Sequence, residues 1–191
     1  MTPFGWTVAA FFGAIALLAA ALLIRWLRRL ESERIEAIAA RRGWTVDGGS
    51  GPNDWRVYGE DDGLRWVLGV RREPGREPAT ELTIVVAEAS GALFAAPRAP
   101  ASEGAEGWVA DVFSVEVPGV AFLEALEGWT VATDDPAWGR TMLVEEEGSL
   151  EVLRPTLALH GQALRLRLAD EVRDGPTLEA LVDLGLRMAQ R

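Results

Sequence analysis

Residues 4–24 form an uninterrupted run of apolar and small side chains with no charge among them. About 20 such residues are enough for an α-helix to cross the hydrocarbon core of a bilayer, which is roughly 30 Å thick. A cleaved signal peptide would need a basic segment before the run, whereas Met-Thr-Pro carries no side-chain charge. The pattern therefore predicts a transmembrane helix, with the lipid bilayer as the partner of residues 4–24.

Aromatic and basic residues flank this run in the manner of membrane-interface anchors. Trp6 and Trp26 are 20 positions apart, which corresponds to about 30 Å along a helix. Arg25, Arg28 and Arg29 follow the run, and arginines beside a span stay on the cytoplasmic side. These five anchors predict a single-pass protein of the bacterial inner membrane, with its N-terminus outside and its domain in the cytoplasm.

The helical spacing of apolar residues continues beyond the run until Gly43. Two arginines precede this glycine, as is typical of a helix with a basic last turn and a glycine cap. One helix is therefore predicted from Pro3 to Arg42. The chain divides into a transmembrane helix with a juxtamembrane stalk (1–43) and a soluble domain (44–191).

Beyond Gly43 the pattern changes to an alternation of apolar and polar positions, which is typical of half-buried strands. The steps Asp62-Gly63 and His160-Gly161 suit tight hairpins between such strands. Strands are predicted at residues 44–46, 55–59, 64–71, 81–87, 92–96, 112–117, 129–133, 156–159 and 162–169. Helices are predicted at residues 120–126, from 134–136 through 143, at 149–154 and from 176 onward. This is an α+β fold with a mostly antiparallel sheet and a C-terminal amphipathic helix.

Composition removes several classes of function. The 29 acidic residues outnumber the 19 basic ones, which are all arginine, and the net charge is −10. A broad nucleic-acid-binding surface is therefore not expected. The absence of cysteine excludes disulfides and thiolate metal sites, and a single histidine leaves no multi-histidine metal centre.

No catalytic, cofactor-binding or metal site is predicted from the remaining candidates. Histidine is the residue type that most often performs acid–base chemistry at neutral pH, but the place of His160 before a glycine between two strands is typical of a turn residue. The acidic runs 60–62, 134–135 and 145–147 lack the alternating ligand spacing of a calcium loop, and are interpreted as a hairpin tip, a helix cap and a solvated face. The glycines of 48–51 lack the lysine and following helix of a phosphate-binding loop.

Tryptophan is the remaining unusual feature of the domain. Gly-Trp-Thr-Val occurs at Gly5, Gly43 and Gly128, and the last two copies each follow a helix and open a strand. This repetition indicates either an old duplication or two independent places where a glycine ends a helix and a Trp-Thr-Val strand begins. Most of the domain's tryptophans are expected in the core, and Trp108 and Trp138 are the candidates for an exposed partner surface.

The last third of the chain combines a strand, two short helices, a hairpin and a long helix. The residues that carry this pattern are Trp129-Thr130-Val131-Ala132-Thr133-Asp134, Trp138, Met142-Leu143, Leu150, Leu153, Leu164, Leu166 and Leu178 to Leu186. With them the segment resembles the C-terminal part of a bacterial family of uncharacterised membrane-tethered domains. The resemblance implies a tethered α+β domain and supplies no activity or site residue.

Two hypotheses for function follow. The first is a membrane-anchored, non-enzymatic interaction or scaffold module with an unknown protein partner. The second is a membrane-tethered enzyme or small-ligand-binding domain that uses Asp, Glu and Arg side chains. A pocket with convergent charged groups would favour the second, and a flat aromatic patch the first. The lack of a catalytic motif favours the first, while no pattern in the sequence requires a homo-oligomer.

Overall fold

The computed structural model describes residues 3–47, 55–72, 77–87, 89, 91–97, 104–172 and 174–191, without the side chains of residues 3–13, 27–28 and 30–32. The helices in these ranges are α1 (Pro3–Arg42), α2 (Ala105–Phe113), α3 (Pro136–Val144), α4 (Glu147–Leu153) and α5 (Gly175–Ala189). The strands are β1 (Thr45–Asp47), β2 (Arg56–Asp61), β3 (Leu64–Arg71), β4 (Ala79–Val85), β5 (Leu93–Pro97), β6 (Ala121–Phe122), β7 (Trp129–Thr133), β8 (Thr156–His160) and β9 (Ala163–Leu168).

The nine described strands form one sheet in the order β1-β2-β3-β4-β9-β8-β5-β7-β6, and each neighbouring pair is antiparallel. The hairpins β2–β3 and β8–β9 turn where the sequence predicts. Asp62 and Gly63 both have positive φ, as does Gly161, which is the backbone geometry that tight hairpin turns demand. The α+β fold with an antiparallel sheet is confirmed.

Helix α5 covers the first face of the sheet, where the main core lies. Leu82 and Ile84 of β4 and Leu166 of β9 are fully buried beneath it. A Cβ atom at Gly185 would lie 2.7 Å from Leu82 and 2.8 Å from Ile84, so glycine lets the helix approach this closely. The amphipathic C-terminal helix predicted from the sequence therefore docks on the sheet, as expected.

Helix α2 covers only one end of the second face. Its residues Trp108 and Val109 pack on Phe94 of β5 in a second, smaller core. Towards β3, β4 and β9 the same face carries polar and charged residues, such as Arg65 and Arg165, which are exposed. We call this uncovered part of the second face the open face.

The last turns of α1 belong to the domain core. Ile35 and Ala39 are buried with the first-face residues, and the Trp44 N–H donates to the Ala39 carbonyl at 2.8 Å. That hydrogen bond and the positive φ of Gly43 (72°) close the helix as a glycine-capped end. The helix predicted from Pro3 to Arg42 is confirmed, and its final turns are a packed part of the domain.

Ion pairs join the end of α1 to α5. Arg41 pairs with Glu179, and Arg42 reaches Glu179 at 3.4 Å and Asp183 at 3.2 Å. The hydrogen bond from Arg41, with the neighbouring positive charges, lowers the pKa of Glu179 below its ordinary value. The negative charge of Asp183 is the main reason that the pKa of Arg42 is raised. These ion pairs link the end of α1 to α5 beside the buried contacts of Ile35 and Ala39.

Glu179→Gln is expected to reduce stability at neutral pH and to have less effect in acid. Because the folded-state pKa of Glu179 lies below the unfolded value of about 4.5, its pairing stabilises the fold above that pH. The contribution is lost as the pH falls through the folded-state pKa. A difference from wild type of up to about 1 kcal/mol at pH 7 should shrink towards zero in urea titrations at successively lower pH. Glu151→Gln, an exposed carboxylate away from the junction, is the control; an equal pH trend there would contradict the prediction.

Among the residues that the structure describes, no helix is both long and apolar enough to cross a membrane. The transmembrane span at residues 4–24 stays a prediction. The division of the chain at residue 43 also stays a prediction, although side chains on both sides of it share one core.

Two predicted elements between the strands are wrong. Residues 112–117 are not a strand, because α2 runs to Phe113 and ends at Ser114 in the left-handed conformation. Residues 120–126 are not a helix, because Ala121 and Phe122 pair with β7 as a short edge strand. In both segments tertiary packing overrides local preference. The glycine stretch 48–51 lies outside the described residues.

Candidate ligand-binding cleft

A cleft of about 150 Å³ opens on the second face of the sheet, beside the C-terminal end of α2. Strands β5, β8 and β9 supply most of its floor, and the segment 112–115 forms its wall. Its lining comprises Arg71, Glu81, Phe94, Val112, Phe113, Ser114, Val115, Thr156, Ala158, His160, Ala163, Arg165 and Arg167. The cleft therefore lies where the α2-covered core meets the open face.

The end of the cleft nearest α2 is apolar. The rings of Phe94 and Phe113 lie 5.1 Å apart, and Val112 and Val115 complete the wall. Ala158 of β8 is the residue directly opposite Phe94 and also lines the cleft. Its small side chain leaves room on the floor beside the Phe94 ring.

The other end of the cleft is basic. Strand β9 reads Ala-Leu-Arg-Leu-Arg-Leu, so Arg165 and Arg167 lie on the open face while the leucines are buried. Arg71 donates to both carboxylate oxygens of Glu81 at 3.1 Å. Among the described residues Arg165 makes no ion pair.

The register fixes the distance between the two ends. Phe94 lies opposite Ala158, and Ala158 lies opposite Arg165. Strands in a sheet are about 4.8 Å apart, so the Cα atoms of Phe94 and Arg165 are roughly 10 Å apart. An aromatic floor and a guanidinium group thus lie within the length of one small ligand.

The charge of the lining is opposite in sign to that of the protein. Three arginines and one glutamate line the cleft, whereas the whole chain carries −10. A cleft of one sign with low-dielectric walls concentrates ions of the other sign. This site is therefore suited to an anion, and its aromatic end to an apolar group.

His160 lies at the edge of this cleft as the last residue of β8. It is exposed, with its ring 6.3 Å from that of Phe94. The positive φ of the hairpin belongs to Gly161, so left-handed geometry is not the reason for a histidine here. His160 therefore flanks the turn as the last residue of β8, and its side chain is part of the cleft lining.

The predicted membrane anchors lie apart from the cleft. Arg25 and Trp26 are exposed on α1, and Arg29 pairs with Glu33 at 3.0 Å. The side chains of Trp6 and Arg28 lie outside the described residues. None of the described anchors lines the cleft.

The prediction that Trp108 lies on an exposed partner surface is wrong. Its side chain is 1% exposed and contacts Phe113 and Phe122 edge-on or tilted, with centroids 5.5 and 5.9 Å away. It is the anchor that holds α2 to the sheet. Trp138 is half-buried and packs against the main core, so it offers only part of its ring to a partner.

The acidic runs have structural partners. The Asp135 carboxylate caps α3 by accepting from the N–H groups of Ala137 and Trp138, and Asp134 accepts from the Ala92 N–H at 2.7 Å. The prediction of a solvated face at the third run is wrong for Glu146, which is buried and pairs with Arg187 and Arg191. Within the described part of the chain no group of three potential metal ligands is found.

Sequence reasoning missed the residues that define the cleft. The Leu-Arg-Leu-Arg-Leu alternation of β9 was a usable signal, because it places two arginines on one face of a strand. The His160-Gly161 step predicts β8 beside β9, but the sequence does not show that β4 lies on the other side of β9 or that β5 lies beside β8. The meeting of Phe94 with Arg165 depends on β5 joining β8 across a long connection.

Fold and cleft together define a single-sheet α+β domain with a small amphipathic cleft and a long N-terminal helix. The sequence matches no protein-family model, and a comparison with curated proteins finds no match. The structure is similar to the crystal structure of the mycobacterial trehalose monomycolate transport factor A, TtfA, with a TM-score of 0.54 and 11% sequence identity. The match covers 84% of this chain and 90% of TtfA. At this identity the likeness shows a shared fold.

Proposed function

We propose that this chain is a membrane-anchored, non-catalytic accessory module that serves the transport of a lipid. The observation that carries the proposal is the apolar segment of α1, which extends from the domain without a protein partner among the described residues. The fold likeness to TtfA supports the lipid part of the proposal. The weak family resemblance of residues 129–188 stays a prediction and adds nothing to it.

The described side chains of α1 from Ala14 to Trp26 are all exposed. Leu17 is 73% and Leu18 is 62% exposed, and Leu22, Leu23 and Ile24 are each more than half exposed. Consecutive residues point to different sides of a helix, so residues 14–24, which carry no charge, are apolar all round. A helix of that kind is stable when lipid or protein surrounds it. The uncharged residues 4–13 precede it in the same helix.

The packing of the last turns of α1 supports an anchor rather than a flexible tether. Ile35 and Ala39 are buried in the core, and ion pairs to α5 hold the helix end. A membrane-embedded N-terminal half would therefore hold the domain in one orientation at the surface. By the flanking arginines Arg25, Arg28 and Arg29, that surface is the cytoplasmic one.

TtfA is described as a mycobacterial trehalose monomycolate transport factor. A role in transport fits the first hypothesis drawn from the sequence, a scaffold or interaction module. It also fits the absence of a catalytic motif in the sequence. The proposal takes from TtfA only the class of process, which is the movement of a lipid.

The double variant Ala14→Arg/Leu18→Arg is expected to leave the membrane. Both residues lie on one face of α1, four positions apart, and an arginine near the middle of a span is strongly disfavoured. After an alkaline wash of inside-out vesicles, wild type should remain mostly in the pellet and the double variant mostly in the supernatant. Protease added to the vesicles should digest the wild-type domain, because the cytoplasmic face is outward.

Ala14→Leu/Leu18→Ala exchanges the same two residues without charge and is the matched control, expected in the pellet. The lipid role is measured in cells depleted of the chain, by pulse-labelling lipids and following their export. Wild type and the control should restore export of the lipid class that accumulates, and the arginine variant should not. Unchanged export after depletion would contradict the lipid role, and a wild-type domain recovered without membranes would contradict the anchor.

A further inference from the structure

We infer that the cleft beside α2 binds the anionic end of a single-chain amphiphile, with the acid group at Arg165 and the first part of the acyl chain against Phe94. The inference rests on the proposed function, since it names the class of lipid that the module handles. It is carried by the geometry and charge of the cleft, independently of the likeness to TtfA.

The apolar end of the cleft sets the size of the group that it takes. A cavity of about 150 Å³ is below the roughly 300–1,000 Å³ of pockets that enclose whole ligands. Apolar cavities of about this size accommodate a benzene-sized group. The cleft therefore takes one end of an extended ligand, and the rest of the chain leaves through its open side.

The basic end selects the charge of the ligand. Arg165 makes no ion pair among the described residues, and its Cα lies roughly 10 Å from that of Phe94, two strands away. Carboxylate and phosphate groups form charge-assisted hydrogen bonds with guanidinium groups. Arg71 pairs with Glu81, and Arg167 is half-buried and already has an interaction partner. Arg165 is exposed and is therefore the arginine best placed to bind an acid group.

An acidic peptide is the main competing occupant. Its charged side chains would satisfy Arg165, but its polar backbone would have to be desolvated against Phe94, Phe113 and Val115. A fatty-acyl chain has no such groups to desolvate. The apolar wall beside the arginines therefore favours the amphiphile.

Octanoate is the probe for a direct test. The full chain is placed in phosphatidylcholine nanodiscs and titrated calorimetrically, with empty nanodiscs as the blank for partitioning into lipid. Octanoate should bind saturably at one site per chain. Octanol, which lacks the charge, and acetate, which lacks the chain, should each bind at least about tenfold more weakly.

Two variants assign that site to the cleft. Arg165→Ala should weaken octanoate binding about tenfold and leave octanol unchanged. Ala158→Phe, which fills the floor opposite Phe94, should abolish binding of octanoate. Arg65→Ala is the matched control: it removes an exposed arginine from the same face on β3, outside the cleft lining, and should bind octanoate like wild type.

Each other outcome overturns the inference. Octanol binding as tightly as octanoate would show that the cleft does not select a charged group. Equal losses of octanoate affinity in Arg165→Ala and Arg65→Ala would show nonspecific electrostatic attraction. A hexaglutamate peptide that binds more tightly than octanoate would assign the cleft to an acidic protein segment. If the chain stays in the membrane pellet after the alkaline wash but does not bind octanoate, this inference alone is overturned. If the chain is released from the membrane by the wash, the proposed anchor is overturned.

Discussion

Trp108→Ala is expected to destabilise the domain by about 3–5 kcal/mol, the range found for removal of a large buried aromatic side chain. Trp108 is 1% exposed and contacts Phe113 and Phe122 in the second core. Its removal leaves α2 with few apolar residues to hold it on the sheet, because Val109 and Ala105 are its other buried side chains. The measurement is urea unfolding of the full chain in neutral detergent, followed by near-ultraviolet circular dichroism.

Trp138→Ala is the matched control, since Trp138 is half-buried and lies on the other side of the sheet. A smaller loss of about 1–2 kcal/mol is expected there, in proportion to the area it buries. If Trp108→Ala cost no more than Trp138→Ala, Trp108 would be a surface residue, as the sequence alone suggested. Because α2 walls the cleft, Trp108→Ala should also weaken octanoate binding.

The error at Trp108 shows what the sequence lacked. Ala105, Trp108, Val109 and Val112 recur with helical spacing, but the strand-forming residues 112–117 dominated the interpretation. The preceding Pro, Gly and Glu residues obscured the start of the helix further. When residues 112–117 are taken as a strand, the sequence offers no helix whose buried side could include Trp108. The sequence alone therefore predicts Trp108 at the surface.

Features that depend on neighbouring residues in the chain are predicted correctly from the sequence. The glycine cap at Gly43, the Asp62-Gly63 turn and the Asp135-Pro136 helix start each depend on residues next to each other in the chain. The order of the strands depends on contacts between distant segments. The long connections that bring β5 beside β8, and β4 beside β9, leave no signature in the strands that they join.

The candidate site belongs to this second class. His160 was singled out by residue type, and the cleft does include it. Arg165 was not, because an arginine on the polar side of a strand is ordinary. Arg165 becomes a candidate only when Ala158 is found on the next strand and Phe94 on the strand after it. Sequence reasoning could therefore supply the charged face but not the apolar surface beside it.

The acidic run at residues 145–147 leads to the second prediction. Glu146 is 4% exposed, and its carboxylate accepts from Arg187 at 3.0 and 3.1 Å and from Arg191 at 3.0 Å. Both arginines belong to the end of the chain in and after α5. Glu146 thus joins the start of α4 to the helix that covers the first face.

Glu146→Ala is expected to destabilise the domain by about 2–4 kcal/mol. Removing one partner from a buried ion pair costs about 3–5 kcal/mol. The expected loss is smaller here because Arg187 and Arg191 are 45% and 32% exposed, so water can solvate their guanidinium groups in the variant. Glu145→Ala is the control, since Glu145 is 52% exposed and pairs with Arg191 alone among the described residues. Its loss should stay below about 1 kcal/mol. The urea midpoint at neutral pH measures both.

A double-mutant cycle separates pairing from burial. If Glu146 acts through Arg187, the loss in Glu146→Ala/Arg187→Ala should fall short of the sum of the two single losses by at least about 0.5 kcal/mol. Simple addition of the losses would mean that the two side chains stabilise the fold independently. Equal losses in Glu146→Ala and Glu145→Ala would mean that this run is the solvated face that its sequence suggests. In the expected case, the ion pair beneath α4 holds α5 in place, and α5 in turn holds the end of α1 through Glu179 and Asp183.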